Sequence, residues 1–283
     1  MSRESVFRPR YGIIGAGAVG KSLIGRLPGK AREVGPVAAV SFRVASRIAN
    51  VLRAGYPVRT VEALSRASVV LFHSPPEQTA GLLALLESAG IPSKGKALIF
   101  CDCELTPAAR ARMSERGAST AALKQFGIAG RIAIEGEGAA LKAARRIVRE
   151  LRLKAVEISA GSADRFDAAV TLGTCALTPL IDRVAALLRD AGVRDGEAAL
   201  LASTLFQQTA REYARSGRQS WGWHLRKPEV DRLEAQIEAA GPRAGPLLRE
   251  LLLLGFDTFH RHAGVASQLR LPAAAVEVPQ ERG

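Results

Sequence analysis

Short apolar runs alternate with amphipathic segments through the N-terminal half of the chain. This is the pattern of a sheet whose strands are connected by helices. Apolar runs predict strands at Tyr11–Ile14, Val37–Val40, Val58–Val61, Ala67–Phe72, Ala97–Cys101, Ser119–Leu123, Arg131–Ile134 and Ala155–Ile158. The segments between them predict helices at Lys21–Leu27, Ser46–Ala54, Gln78–Ala89, Pro107–Arg116 and Ala139–Leu151. We therefore predict an α/β fold with a Rossmann-type, doubly wound parallel sheet.

The pattern changes to helix from Asp164 onward. Apolar residues spaced by three, four or seven predict one long helix with a buried face, kinked at Pro179. These residues are Phe166, Val170, Leu177, Ile181, Val184 and Leu188. Further helices are predicted at Glu197–Arg215, Pro228–Ala240 and Pro246–His262. We place an α/β domain at residues 1–160 and an all-helical domain at 161–283.

A glycine motif follows the first predicted strand. Gly15, Gly17 and Gly20 fit G-x-G-x-x-G between a strand and a predicted helix, which is the context that binds a dinucleotide pyrophosphate. Main-chain amides of Ala16, Ala18 and Val19 would line the same turn. The sequence therefore predicts a dinucleotide cofactor at Gly15–Gly20.

The second predicted strand ends in Ser41-Phe42-Arg43, where an NAD-binding fold usually offers an acid to the ribose hydroxyls. No acid stands here. Arg43, and by type Arg47, would pair with a ribose 2′-phosphate, and Ser41 would add a hydroxyl. NADP is therefore favoured over NAD.

The strand Ala67–Phe72 ends in His73-Ser74-Pro75, at the edge where ligands bind in open α/β sheets. These three residues are predicted to line the cofactor site, although a hydrogen-bonded loop histidine is the plainer interpretation of His73. Cys101 and Cys103 lack the further ligands of a tetrahedral metal site, so no metal is predicted.

The net charge of +13 raises the possibility of a nucleic-acid partner. The basic residues are scattered, however, and lack interleaved aromatic residues, so we predict no nucleic-acid partner. The segment Met1–Arg10 has no apolar core of a secretion signal, and no apolar run reaches the roughly 20 residues that span a bilayer. Three cysteines without framework spacing indicate a reducing compartment, so a cytoplasmic protein is expected.

The order of motifs resembles the 6-phosphogluconate-dehydrogenase-like superfamily, which includes pyrroline-5-carboxylate reductases, and within it the Rossmann-like members with a C-terminal helical domain of unknown function. The resemblance covers nearly the whole chain. Its markers are the glycine motif, Val40–Arg43, Ile134–Gly138, Phe166–Ala169 and a Gly222-x-x-x-Arg226 loop. It implies a cofactor-binding domain, a helical domain that pairs two copies of the chain, and a substrate site between the two domains.

The chain departs from the family pattern at three places. Typical members carry His-Pro where Ala121-Ala122 stand, Tyr-His where Phe166-Asp167 stand, and Ser-Asn where Thr174-Cys175 stand. Two histidines that could move protons are therefore missing. Asp167 could act as general base instead and Lys124 could polarise a carbonyl or imine, although a helix-terminal charge and an exposed lysine are the plainer interpretations.

The resemblance implies an NADP-dependent oxidoreductase that reduces a C=O or C=N group of a small molecule. Thr174, Cys175 and Arg226 would bind the substrate, and Arg226 suits a substrate carboxylate. The alternative is a non-catalytic NADP-binding protein that has lost the proton-relay histidines. A homodimer without membrane attachment is expected in either case.

Overall fold

The computed structural model describes residues 10–27, 33–91, 94–220, 229–259 and 263–269. The chain divides into two compact units, Met1–Val170 and Thr171–Gly283. The predicted boundary lies ten residues earlier, at 160/161. The first unit is an α/β layer structure and the second is helical.

Eight strands of the first unit form one sheet in the order β3-β2-β1-β4-β5-β6-β7-β8. The strands are β1 Tyr11–Gly15, β2 Val34–Ala38, β3 Tyr56–Pro57, β4 Val69–His73, β5 Ala97–Cys101, β6 Ser119–Lys124, β7 Arg131–Gly136 and β8 Lys154–Ile158. Every neighbouring pair is parallel except β6 and β7. The predicted α/β, Rossmann-type fold is confirmed, with one antiparallel pairing that the sequence did not predict.

The helices of the first unit are α1 Phe42–Leu52, α2 Pro76–Ser88, α3 Pro107–Glu115 and α4 Gly138–Glu150. Local signals predicted α3 well, since the Thr106 hydroxyl accepts from the Ala109 N–H at 3.2 Å and Pro107 takes the first helical position. The α1 prediction was wrong at its start by four residues. Ser41 caps this helix, accepting from the Val44 N–H at 3.3 Å, so the residues after β2 enter the helix at once.

The core of the first unit lies on both faces of the sheet. Alternate residues of the central strands are buried on opposite faces, as Ile13 and Ile14 of β1 are. One face packs under α1 and α4, and the other under α2 and α3. The sheet is therefore buried between two helical layers, and its carboxyl-end edge is left for loops.

The helices that follow are α5 Ala163–Gly173, α6 Leu177–Asp190, α7 Asp195–Ser216, α8 Val230–Ala239, α9 Gly241–Phe259 and α10 Ala263–Leu269. The predicted kink is a break between α5 and α6, shortly before Pro179, which cannot donate a main-chain hydrogen bond. A compact apolar cluster joins α8, α9 and α10, with Leu233, Leu253 and Phe256 at its centre.

The predicted buried face of α5 and α6 is only half-buried within the described chain, since each of its six predicted residues is partly exposed. Helix α5 has no buried residue, α6 buries Ala185, and α7 buries Ala198 and Ala202. The stretch Ala163–Asp190 is long and apolar enough to cross a membrane, with 6 % of its most apolar window buried. One such stretch is weak evidence for a membrane protein.

Candidate functional site

The glycine turn after β1 forms a cradle of free main-chain amides. Gly17 has a φ of +68°, which only glycine adopts without strain, and a Cβ there would lie 3.1 Å from Pro75 Cδ. The Ala16 N–H donates to the His73 carbonyl at 2.9 Å. For Gly17 and Ala18, no acceptor of the main-chain N–H is found within the described chain. Two neighbouring amides of this kind suit an anionic oxygen.

The predicted helix Lys21–Leu27 is wrong. Two 3₁₀ turns, Val19–Lys21 and Leu23–Arg26, follow the glycine turn. A Cβ at Gly20 would lie 2.5 Å from Val51 Cγ1, so Gly20 permits close packing against α1 rather than against a strand. These turns are too short to build up a helix dipole. An anion at this place would therefore be bound by the main-chain N–H groups alone.

The turn between β2 and α1 carries the predicted 2′-phosphate residues. Ser41 and Arg43 both lie exposed at the first turn of α1. The Ser41 hydroxyl accepts from Val44, and its own O–H remains available to donate. No acid stands in this first turn, so Arg43 meets no local carboxylate there.

The end of β4 carries His73, Ser74 and Pro75. His73 Nδ1 lies 2.7 Å from the Cys101 carbonyl oxygen, and because a carbonyl can only accept, Nδ1 is the protonated nitrogen. The Ser74 hydroxyl is buried and hydrogen-bonded to Thr79 Oγ1 at 2.7 Å. His73 is thus a hydrogen-bonded strand-end histidine, the second of its two interpretations, and it also borders the cavity described below.

Lys124 and Asp167 form an ion pair between the end of β6 and the first half of α5. The two residues are 43 positions apart in the sequence. Their side chains are half to one-third exposed, so the pair is open to a ligand. The two residues nominated separately as polarising cation and general base therefore meet at one point.

Asp102 ties together the loops at this edge. It has a φ of +52°, and its carboxylate accepts from the Leu23 N–H at 2.8 Å and from the Gln125 N–H at 3.1 Å. The Gln125 side-chain amide donates to it as well. Asp102 therefore holds the glycine-turn segment beside the end of β6, where Lys124 stands.

Glu135 is a buried carboxylate that sequence reasoning did not nominate. It is 4 % exposed, accepts from Arg110 Nη2 at 2.7 Å and from the Gly161 N–H at 2.5 Å. Arg110 comes from α3 and Gly161 from the turn before α5. This node fixes the turn that leads to Asp167. No local sequence signal could have revealed this node, because its members Arg110, Glu135 and Gly161 lie far apart along the chain.

These features surround one cavity of about 900 Å³ within the first unit. It is lined by Ala18 of the glycine turn, by the β4 end, and by Lys124 and Asp167. Phe166, whose ring packs edge-on against Phe126 at 5.1 Å, also lines it. The cavity thus runs from the amide cradle to the ion pair, on the edge where such folds bind ligands.

The charges around the cavity oppose those of the whole chain. Two cations, Arg110 and Lys124, stand among the described lining residues, against six acids. The acids are Asp102, Glu104, Glu135, Glu137, Asp164 and Asp167. In a chain of net charge +13 this is a local excess of negative charge. Such an excess attracts cations and repels anions.

Cys101, at the end of β5, is a buried thiol, and Cys103, two residues further on, is a half-buried one. Burial raises the pKa of Cys103 to about 12 and the pKa of Cys101 well above its ordinary value. Cys103 Sγ donates to the Phe72 carbonyl at 3.5 Å. Both therefore stay protonated at neutral pH and pack as small apolar groups.

The predicted substrate residues do not lie at this cavity in the described chain. Thr174 and Cys175 belong to the second unit, where Thr174 Oγ1 contacts Cys175 Sγ at 3.7 Å. Arg226 falls outside the described residues. The predicted substrate role of Thr174, Cys175 and Arg226 stays a prediction.

Comparisons with known proteins give a fold but no family by sequence. No family model matches the chain, and no curated protein is similar to it in sequence. An imine reductase from Aspergillus terreus, in complex with NADPH4 and dibenz[c,e]azepine, aligns over 92 % of this chain and 90 % of its own, with 16 % identity and a TM-score of 0.57.

Two further solved structures are alike over similar spans. An imine reductase from Myxococcus stipitatus in complex with NADP+ has 17 % identity, covers 92 % of this chain and 91 % of its own, and gives a TM-score of 0.55. A reductive aminase from Aspergillus terreus, with NADPH4, cyclohexanone and allyl amine, has 18 % identity over 93 % and 91 %, with a TM-score of 0.52. The chain therefore has the Rossmann-type fold of these oxidoreductases.

Proposed function

We propose that this chain is an NADP-dependent oxidoreductase that reduces a C=N or C=O group of a small molecule. The observation that carries the proposal is the single cavity that joins the amide cradle at Ala18 to the Lys124–Asp167 pair. The solved structures of similar fold support it, since they are described with NADP-type cofactors and with amine or ketone compounds.

The cofactor residues fit an NADP molecule. The pyrophosphate suits the free amides of Gly17 and Ala18 and the space left by the missing Cβ of Gly17. The 2′-phosphate suits the exposed Arg43. Gly15–Gly20 would hold the pyrophosphate, Ser41 and Arg43 the 2′-phosphate, and His73–Pro75 the part that reaches into the cavity. When bound, NADPH supplies the hydride for the reduction.

The chain's own residues would supply the proton. Lys124 carries N–H donors at the cavity wall. It can donate one proton, either to a neutral imine nitrogen before the hydride arrives or to the alkoxide that forms from a C=O group. Asp167 holds the ammonium in place through the ion pair. Asp167 stands at the position of one missing histidine of the resembled family, and Lys124 lies three residues after Ala121, the position of the other. The pair would therefore take over their role.

The charge of the cavity bears on the substrate. Six acids against two cations do not favour the carboxylate-bearing substrate that Arg226 suggested. A protonated imine, which is a cation, would be attracted by this wall, whereas an anion would be repelled. We therefore propose reduction of C=N as the leading reaction and C=O as the second.

The non-catalytic alternative predicts cofactor binding without turnover. The experiment is a screen of cyclic imines, and of ketone–amine pairs, for NADPH oxidation followed at 340 nm. Asp167→Asn and Lys124→Met should each lower kcat by about 100-fold or more, the scale of a lost general acid, with NADPH affinity retained. Lys154→Met, at the far strand β8, is the matched control and should keep full activity. Cofactor binding without oxidation of NADPH by any substrate would favour the non-catalytic protein.

We also propose that two copies pair through the α7 leucine surface, which consists of Leu200, Leu201 and Leu205. These side chains are 69 %, 40 % and 46 % exposed in a single chain. A soluble protein rarely leaves such a set in water unless a partner covers it. A second copy is the partner that we propose for this surface, in line with the resemblance.

A cytoplasmic location is also part of the proposal, because Cys101, Cys103 and Cys175 are free thiols.

A further inference from the structure

We propose that Arg59 and Phe42 form the adenosine end of the cofactor site, with Arg59 as a specificity-determining residue for the 2′-phosphate. This inference rests on the proposed function, because it assumes an NADP cofactor at the glycine turn. Neither residue was nominated from the sequence. The observation that joins them is a stacked contact, with Arg59 Cζ 4.6 Å from the centroid of the Phe42 ring.

The sheet brings these residues to one edge. β2 and β3 are parallel neighbours, with Val37 opposite Pro57, and the Val58 N–H donates to the Val37 carbonyl. The residues that follow both strands therefore emerge on the same edge of the sheet. Phe42 and Arg43 begin α1 after β2, and Arg59 follows β3. That edge is also where Gly15 ends β1.

The contact leaves the guanidinium available. Phe42 is 40 % exposed, so its ring offers one face to Arg59 while the pair stands open to water. When a guanidinium stacks on an aromatic ring, its N–H groups point outward in a plane parallel to the ring. They can therefore still donate to an oxyanion. Among the described residues, no carboxylate pairs with Arg43 or Arg59.

Two arginines without a described carboxylate partner, Arg43 after β2 and Arg59 after β3, match a phosphate monoester dianion better than one does. Each guanidinium offers two parallel N–H donors to phosphate oxygens. Ser41 adds an O–H donor at the start of α1. The stacked Phe42 fixes the direction of the Arg59 side chain, which lowers the entropy lost when a phosphate binds. NADH, which has a ribose hydroxyl at this place, would gain none of these interactions.

The experiment is calorimetric titration of the full-length protein with NADPH and with NADH. Arg59→Gln should weaken NADPH binding about 10-fold to 100-fold, the range of a lost hydrogen bond between charged groups, and leave NADH binding unchanged. Arg59→Lys should fall between wild type and Arg59→Gln, because lysine keeps the charge but not the stacked fork. The matched control is Arg66→Gln, an exposed arginine that precedes β4 at the opposite edge of the sheet.

The outcomes separate this inference from the function beneath it. If wild type binds neither cofactor, the proposed function fails and this inference falls with it. If wild type binds NADPH and Arg59→Gln binds it equally well, Arg59 only covers the Phe42 ring and the inference alone is overturned. Equal losses for NADPH and NADH, or the same loss in Arg66→Gln, would also overturn the 2′-phosphate assignment. Thermal unfolding of each variant checks that the fold is retained.

Discussion

The two units bury their apolar residues very differently. In the first unit both faces of the sheet are covered, and Phe72 and Phe100 pack 4.9 Å apart with almost no exposure. In the second unit the apolar cluster is confined to α8, α9 and α10, while α7 exposes its leucines. The first unit therefore has an apolar core on both faces of its sheet, whereas part of the second exposes apolar side chains, which the proposed second copy would cover.

The two units also differ in which of them carries the candidate site. The amide cradle, the ion pair and the buried Arg110–Glu135 node all lie in the first unit, where residues of the sheet and of its flanking helices meet. Sites on such elements keep their geometry because the sheet beneath them is packed. The exposed helices carry no comparable polar constellation in the described chain, and their apolar surface suits an interface.

The largest expected effect is on the stability of the first unit. Phe72→Ala removes a fully buried ring and should lower the free energy of unfolding by about 3–5 kcal/mol. Leu172→Ala, in α5, alters a side chain that is 72 % exposed and should change it by no more than about 0.5 kcal/mol in dilute, monomeric protein. Urea unfolding measures both. Equal costs would show that the contrast between the units is wrong.

The next effect concerns the α7 leucine surface. We expect light scattering to give a dimeric mass for the wild type and a monomeric mass for the double variant Leu200→Glu/Leu205→Glu. Each leucine would contribute roughly 1.5–3 kcal/mol when buried by a second copy, and a carboxylate in its place would have to be desolvated. Leu85→Glu, an exposed leucine of α2, is the control and should stay dimeric. A monomeric wild type would refute the interface.

The smallest effect is on the reactivity of the thiols of Cys101 and Cys103. In a Cys175→Ser background, a thiol reagent at pH 8 should react slowly with the native protein, because burial keeps the pKa of Cys103 at about 12 and raises that of Cys101. Both should react at once in urea. Since the unfolded thiols ionise near pH 9 and the folded ones do not, the free energy of unfolding should also fall as pH rises from 9 to 12. Fast modification of the native protein would contradict this burial.

Local sequence signals predicted the parts of the fold that local physics determines. β5 was predicted at its exact bounds, because a short apolar run between polar turns has few alternatives. Thr106 and Pro107 likewise predicted the start of α3. The predicted helix after Gly20 was wrong because tertiary packing overrides helix propensity there: Asp102 takes the Leu23 N–H and Val51 crowds Gly20.

The candidate site was predictable by residue type but not by contact. Lys124 and Asp167 were nominated singly, and only the fold pairs them. Two further contacts join different elements, so the periodicity of neither element predicts them. They are the contacts of Glu135 with Arg110 and of Arg59 with Phe42. The periodicity of α5 and α6 predicted a buried face, whereas that face is half-buried. Periodicity indicates that a helix has an apolar face but not how fully other elements cover it.

The most direct test of the central claim, that the glycine turn opens a cofactor cradle into the cavity, is NADPH titration of wild type, Gly17→Ala and Gly127→Ala. Both glycines have a positive φ, +68° and +81°, so the two variants bear similar backbone strain. An added Cβ meets Pro75 at Gly17 and open space at Gly127. We expect wild type and Gly127→Ala to bind NADPH alike and Gly17→Ala to lose at least about 10-fold in affinity. Equal binding by all three, or no binding by wild type, would contradict the claim.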